Sequence, residues 1–190
     1  MMTDYTLITG GAEGSDLYWQ KRALERNVNV HIMTFRGHKP CTSEGNPTSI
    51  LNPLIHKICL SDKELENAKV HAMKANERLK RRFPCNREFS TKLVSRNYFI
   101  VKDVEAVVAI AEVTDNLVEG GTGWATTMAN NLGKDVYVYD VKSLRWYKYE
   151  NEMLSPCECP RLPKTFAGVG SRSLCEEGKR AIDCVLKSID

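Results

Sequence analysis

The sequence predicts an α/β protein of three layers, with a mostly parallel sheet of about five or six strands between helices. Three observations carry this expectation. Short apolar runs alternate with stretches of helical periodicity along most of the chain. Three apolar runs lead into glycine-rich turns: Gly10-Gly11-Ala12-Glu13-Gly14-Ser15-Asp16, Gly120-Gly121-Thr122-Gly123 and Gly168-Val169-Gly170-Ser171-Arg172-Ser173. Each turn is followed by a helical pattern. The run 104–111 is the most apolar strand candidate, as expected of a strand covered on both faces.

The elements follow in order. Residues 5–9 read as a strand. Residues 15–27 read as a helix, with Ser15 or Asp16 near its cap and Leu17, Ala23 and Leu24 on the buried face. Residues 28–33 alternate apolar and polar and end at Phe35-Arg36-Gly37-His38, a strand and its loop. This βαβ unit requires a right-handed crossover and a parallel pair. Residues 39–60 hold Pro40, Gly45, Pro47 and Pro53 and read as loop.

Ser61-Asp62-Lys63-Glu64 is a capping box, and its helix should run to about Arg82, ahead of Pro84. Residues 88–102 read as helix, 104–111 as strand, and Thr122 to Leu132 as helix closed by Gly133. Residues 135–140 form a strand and 144–149 a short edge strand. A loop with Pro156, Pro160 and Pro163 leads to the last strand at 164–168, and an amphipathic helix covers 173–189. The 190 residues suit one domain, with a variable helical insertion at about 36–90.

Composition narrows the function classes. The apolar fraction is 42%, the charged fraction 27% and the net charge +3. So small a charge demands neither nucleic acid nor a membrane surface as partner. No apolar stretch approaches the ~20 residues that span a bilayer. The N-terminal residues lack the pattern of a secretory leader, which points to the cytoplasm. Seven cysteines, an odd number, argue against a closed disulfide framework. Cys157-Glu158-Cys159 is closely spaced but lacks the usual zinc spacer, so free thiols and no metal site are expected.

The glycine turns point to a ligand. Glycine lets backbone N–H groups approach a ligand closely, and a helix N-terminus adds partial positive charge. Parallel strands place such turns on one sheet edge, where α/β proteins bind ligands. Gly10, Gly11, Gly14, Gly120, Gly121, Gly123, Gly168 and Gly170 are therefore candidates to cradle phosphate. The hydroxyls of Ser15, Thr122 and Ser171 would assist, with Arg96 and Arg172 as guanidinium partners. Asp16 could cap its helix or accept from a ribose hydroxyl. Trp124 could stack on a base, though a core contact is favoured, and His38 is a candidate lining residue. The basic run 74–87 reads first as a solvated helix face. It could also hold phosphates or bind a nucleic-acid backbone.

Taken together, these motifs resemble the SLOG superfamily, which includes cytokinin-activating phosphoribohydrolases, DprA-like proteins and putative molybdenum-cofactor carriers. Gly10 to Asp16 is similar to its first glycine-rich motif, Ser95-Arg96-Asn97 to its Arg-Asn segment, and Gly120 to Gly123 to its second glycine turn. Phe166 to Arg172 resembles the strand and turn that open that fold, yet stands last here, as in the circularly permuted branch. The resemblance implies a Rossmann-like fold, a bound nucleotide or molybdopterin-type ligand, and a homodimer. The phosphoribohydrolases carry a catalytic Glu after the second glycine turn. Here Gly123 is followed by Trp124-Ala125-Thr126-Thr127-Met128, with no acid at that place.

The expected function is binding of a nucleotide or nucleotide-derived, phosphate-bearing small molecule, in a sensor or carrier role. The alternative is a nucleotide N-glycosidase that releases base and ribose 5-phosphate, using the carboxylate of Glu119 or another acid to stabilise an oxocarbenium-like centre or activate water. A further alternative is nucleic-acid binding through the 74–87 run, although the net charge makes nucleic acid the weaker partner.

Overall fold

The computed structural model describes residues 3–41 and 52–189. Gly45 and Pro47, placed in a loop by the sequence, lie outside these residues. Among the described residues, eight strands form one sheet in the order β3-β2-β1-β10-β4-β7-β8-β9. The parallel part comprises β3 (Ile55–Leu60), β2 (Asn29–Phe35), β1 (Thr6–Thr9), β10 (Thr165–Gly170), β4 (Ala106–Ala111) and β7 (Asp135–Asp140). Antiparallel β8 (Arg145–Glu150) and β9 (Met153–Cys157) extend one side. The last strand of the chain, β10, lies between β1 and β4 in the centre of the sheet.

Each central strand feeds both faces, because successive side chains alternate. Leu7, Val108, Ile110 and Phe166 point into a core with Trp19, Ala23, Ile182 and Val185 from α1 (Ser15–Leu24) and α5 (Glu176–Leu186). Ile8, Val107, Ala109, Ala167 and Val169 point into the opposite core. There they meet α2 (Asp62–Leu79), α3 (Glu88–Val101) and α4 (Gly120–Asn131). These are the three layers the sequence predicts, a Rossmann-like α/β sandwich. No helix among the described residues is long and apolar enough to cross a membrane.

Several boundaries shift for physical reasons. The Ser61 capping box forms as expected, but α2 stops at Leu79. Lys80 takes a left-handed conformation there, φ 53°. The Asn76 side chain also clamps Arg81, accepting from its N–H at 2.8 Å and donating to its carbonyl at 2.7 Å. The sheet has eight strands rather than five or six, since β3 and β9 arise where the sequence suggests loop. Both are edge strands. β3 is largely exposed, so it lacks a clean apolar alternation. β9 contains Pro156, which an edge tolerates because no ladder donor is needed on the open side. The edge therefore falls at β9, and β8 is an inner strand.

The second glycine turn does not follow β4 directly. A two-stranded hairpin, β5 (Val113–Thr114) and β6 (Leu117–Val118), stands between. Its central residues Asp115 and Asn116 both have positive φ, 49° and 63°, as a type I′ hairpin turn requires. The buried Asp140 carboxylate, at the end of β7, accepts from the backbone amides of Val113, Lys142 and Ser143 and fixes this corner.

Gly168 belongs to this packing rather than to a turn. It lies inside β10, and a Cβ there would come within 2.7 Å of the Trp19 ring and 2.9 Å of Leu7. Trp19 is fully buried and has no room to retreat. Gly168→Ala should therefore cost about 1–3 kcal/mol in denaturant unfolding by overpacking. Gly121→Ala, whose Cβ meets nothing within 4 Å, should leave the midpoint close to the parent's.

Candidate functional site

Parallel strands end at the same edge, and there a cleft of about 520 Å³ opens. All three glycine turns reach it. Ala12 and Asp16 come from the first, Gly120, Gly121 and Thr122 from the second, and Gly170, Ser171 and Arg172 from the third. Leu93, Arg96, Asn97 and Ile100 of α3 form a further wall. The convergence inferred from sequence is present, but the turns differ sharply in what they offer.

The first and third turns are locked together. Gly14 has φ 77°, and a Cβ on it would lie 2.1 Å from the Arg172 carbonyl oxygen. No side chain fits, and the conformation itself favours glycine. The Ser15 amide and hydroxyl both donate to the Ser171 carbonyl, at 3.0 and 2.9 Å. Gly170 in turn leaves space for Ser15, whose Cβ would be 2.6 Å from a Cβ at 170. The Ser15 hydroxyl is thus fully buried and engaged in turn-to-turn bonding rather than turned to a ligand. Gly11 packs on Pro40, and the Cys41 amide donates to its carbonyl at 2.8 Å.

Asp16 and Arg96 form the buried polar centre. Asp16 is 4% exposed and accepts from the amides of Gly10 and Ala12, both at 3.2 Å. It shapes the first turn rather than capping α1, whose N-cap Gly14 leaves the helix without a side-chain cap. Burial raises its pKa above the ordinary carboxylate value, against the opposing pull of these amides and of Arg96. Arg96 is 7% exposed and donates from Nη1 to the Gly10 carbonyl at 2.7 Å. Gly10 needs to be glycine because a Cβ would strike Arg96 Nη2 at 2.6 Å. Burial pushes the Arg96 guanidinium down to about 10, so it stays charged at neutral pH. Its Nε is buried with no hydrogen-bond partner.

The second turn is the open one. Gly120, Gly121 and Thr122 make the first turn of α4, and its N-cap, Glu119, supplies no side-chain bond to the helix. A Cβ on Gly120 or Gly121 would meet nothing within 4 Å. Space beside this turn is therefore open, and Gly120, Gly121 and Thr122 line the cleft. Gly123 points the other way, into the Val118 carbonyl and the Arg81 guanidinium. Arg81 donates to the carbonyls of Gly120 at 2.6 Å and Val118 at 2.8 Å, and so holds the turn in place.

Two arginines of the basic run are accordingly structural. Besides Arg81, Arg78 donates to the carbonyls of Asn116 and Glu152 and lies 4.9 Å over the Tyr149 ring. No sequence signal distinguished either from its solvated neighbours. Trp124 is a core residue, 5% exposed, with its ring 5.5 Å from Phe83.

The cleft carries both signs of charge. Arg96 and the exposed Arg172 line it together with the α4 N-terminus. Glu112 and Glu119, the N-cap residue of α4, line it too, and Glu112 pairs with Lys142 at 2.7 Å. The Glu119 carboxylate has no hydrogen bond or ion pair among the described residues. Behind Arg96 sits His38, whose Nε2 is 3.4 Å from Arg96 Nη1 and whose Nδ1 is 3.0 Å from Thr34 Oγ1. A neutral ring that accepts from Arg96 and donates to Thr34 satisfies both contacts.

Partial burial, with Arg96 and Arg172 nearby, pushes the His38 pKa down to about 4. The unfolded chain, with an ordinary value near 6.5, takes the proton first as pH falls. Stability is then fully present above pH 6.5 and declines toward pH 4. Half-exposure to water weakens the effect, so about 1 kcal/mol should be lost between pH 6.5 and 5. His38→Gln should flatten that part of a pH–stability curve, and the His38 ring should titrate near pH 4 by NMR.

Compared with family models, with curated proteins and with solved structures, the chain matches none.

Proposed function

We propose that the cleft binds a phosphate-bearing, nucleotide-like small molecule, with its phosphate on the first turn of α4. The observation that carries this reading is the α4 N-terminus, without a side-chain cap and with open space at Gly120 and Gly121, in the cleft that Arg96 and Arg172 also line. Helix N-termini with free amides attract anions, and guanidinium groups add forked donors. The volume, about 520 Å³, lies in the range of small-molecule and cofactor sites. The apolar stretch of α3, Leu93, Val94 and Ile100, offers a surface for a base or other ring. A nucleotide or a molybdopterin-type molecule fits this combination, as the SLOG resemblance implies. The same resemblance carries the expectation of a homodimer.

Glu119 favours a second reading. Its unpaired carboxylate on the cleft wall could act on a bound nucleotide as the acid or base of N-glycosidic cleavage. Release of free base from nucleoside monophosphates, lost in Glu119→Gln, would separate this reading from simple binding. Binding of nucleic acid through residues 74–87 would have to rely on the cations left after Arg78 and Arg81 are engaged.

Titration calorimetry with nucleoside mono- and diphosphates, cyclic nucleotides, ADP-ribose and molybdopterin tests the main proposal. At least one should bind with heat that Gly121→Glu abolishes. That substitution sets a carboxylate in open space beside the α4 amides without a packing clash. Arg172→Ala should weaken the same ligand roughly 10–100-fold, the worth of a charge-assisted hydrogen bond. A folded protein silent to the whole panel would refute the proposal.

A further inference from the structure

The cysteines behave differently from their sequence spacing. Cys157 and Cys159 are neighbours in the chain, yet the close contact is between Cys159 and Cys184, 25 residues apart. Cys159 lies in the connection between β9 and β10, and Cys184 on the outer side of α5. The Cys159 thiol donates to the Cys184 sulfur at 3.3 Å. A disulfide needs a sulfur separation of about 2.05 Å, so roughly 1.2 Å of approach would close it.

The two backbones are already held in register. Leu162, three residues past Cys159, packs in one core with Ile182, Val185 and Leu186 of α5. Its amide donates to the Ser188 hydroxyl at 3.1 Å, just past the end of α5. Cys159 itself packs against that core, while Cys184 is exposed to solvent. Cys157 is on β9, laddered opposite Trp146 of β8.

We infer that Cys159 and Cys184 form a peroxide-responsive dithiol, which a hydroperoxide converts to a disulfide that staples the β9–β10 connection to α5. The exposed Cys184 thiolate attacks one peroxide oxygen. The O–O bond breaks, Cys184 becomes a sulfenic acid, and the departing hydroxide or alkoxide takes a proton. The Cys159 sulfur then attacks the Cys184 sulfur. The S–O bond breaks, and the leaving hydroxide departs as water with the Cys159 proton. Two thiols lose two electrons, and the peroxide gains them. Burial, followed by the contact with Cys184, pushes the Cys159 thiol up to about 12. The exposed Cys184 therefore meets the peroxide first; its sulfur is part of what raises Cys159, and that part is relieved once Cys184 is a sulfenic acid, so that Cys159 gives up its proton as it attacks.

The staple joins segments on either side of β10, the strand that delivers the third turn to the cleft. It is independent of whatever the cleft binds. The test treats the intact chain with hydrogen peroxide, blocks remaining thiols, and maps unreduced peptides by mass spectrometry. A Cys159–Cys184 cross-link is expected, with a rise in Tm of roughly 5–10 °C that a dithiol reductant reverses. Cys184→Ser and Cys159→Ser should abolish the rise, while Cys157→Ser, folded by circular dichroism, should keep it. A bridge through Cys157, an unmoved Tm, or Cys184 driven to sulfinic acid with Cys159 still alkylatable would each overturn the inference. So would a folded protein whose two thiols both resist peroxide.

Discussion

The Arg172 carbonyl lies where a side chain at position 14 would have to be, and much of the edge that holds the cleft depends on that contact. Gly14 closes the first turn and begins α1; Ser171 and Arg172 close β10. Because Ser15 sends both its amide and its hydroxyl to one carbonyl of the third turn, the two turns behave as one backbone unit. The central position of β10 makes this possible. Its parallel pairing with β1 brings two strand ends from opposite ends of the sequence to the same height.

The polar centre follows from the same constraint. A turn packed this closely leaves buried amides that water cannot reach, and buried donors must be satisfied. Asp16 accepts two of them, and Arg96 answers the Gly10 carbonyl. A buried carboxylate and guanidinium are costly to desolvate, and removing one would leave the other uncompensated. Arg96 is therefore at once a brace for the first turn and a wall of the cleft. The two roles are compatible, since Nη1 bonds the turn while the residue still lines the cleft.

The fold was legible wherever one chemical demand dominated. The fully apolar run of β4, the capping box at Ser61 and the alternation of β2 all state their structure locally. β3 and β9 do not, because edge strands are specified by a neighbour rather than by their own pattern. At the site, the three turns could be read as a group, but glycine serves two purposes that sequence cannot separate. Gly14, Gly168 and Gly170 are glycines because backbone or aromatic atoms occupy the place of a Cβ. Gly120 and Gly121 face open space. Arg81 was invisible for a related reason: its role is set by carbonyls 37 and 39 residues away.

That division among the glycines bears on where binding energy would arise. Turns held shut by packing give rigidity and no free donors. The α4 turn has the opposite character, with Gly120 at φ 63°, no side-chain cap, and Arg81 holding its carbonyls from behind. A capping Ser or Asp would stabilise the helix by about 1 kcal/mol, yet would cover the amides. Leaving them bare costs stability in the free protein, and an anion that satisfies them returns it. Bracing from the carbonyl side keeps this turn ordered while its donors wait, so little ordering entropy remains to oppose a ligand.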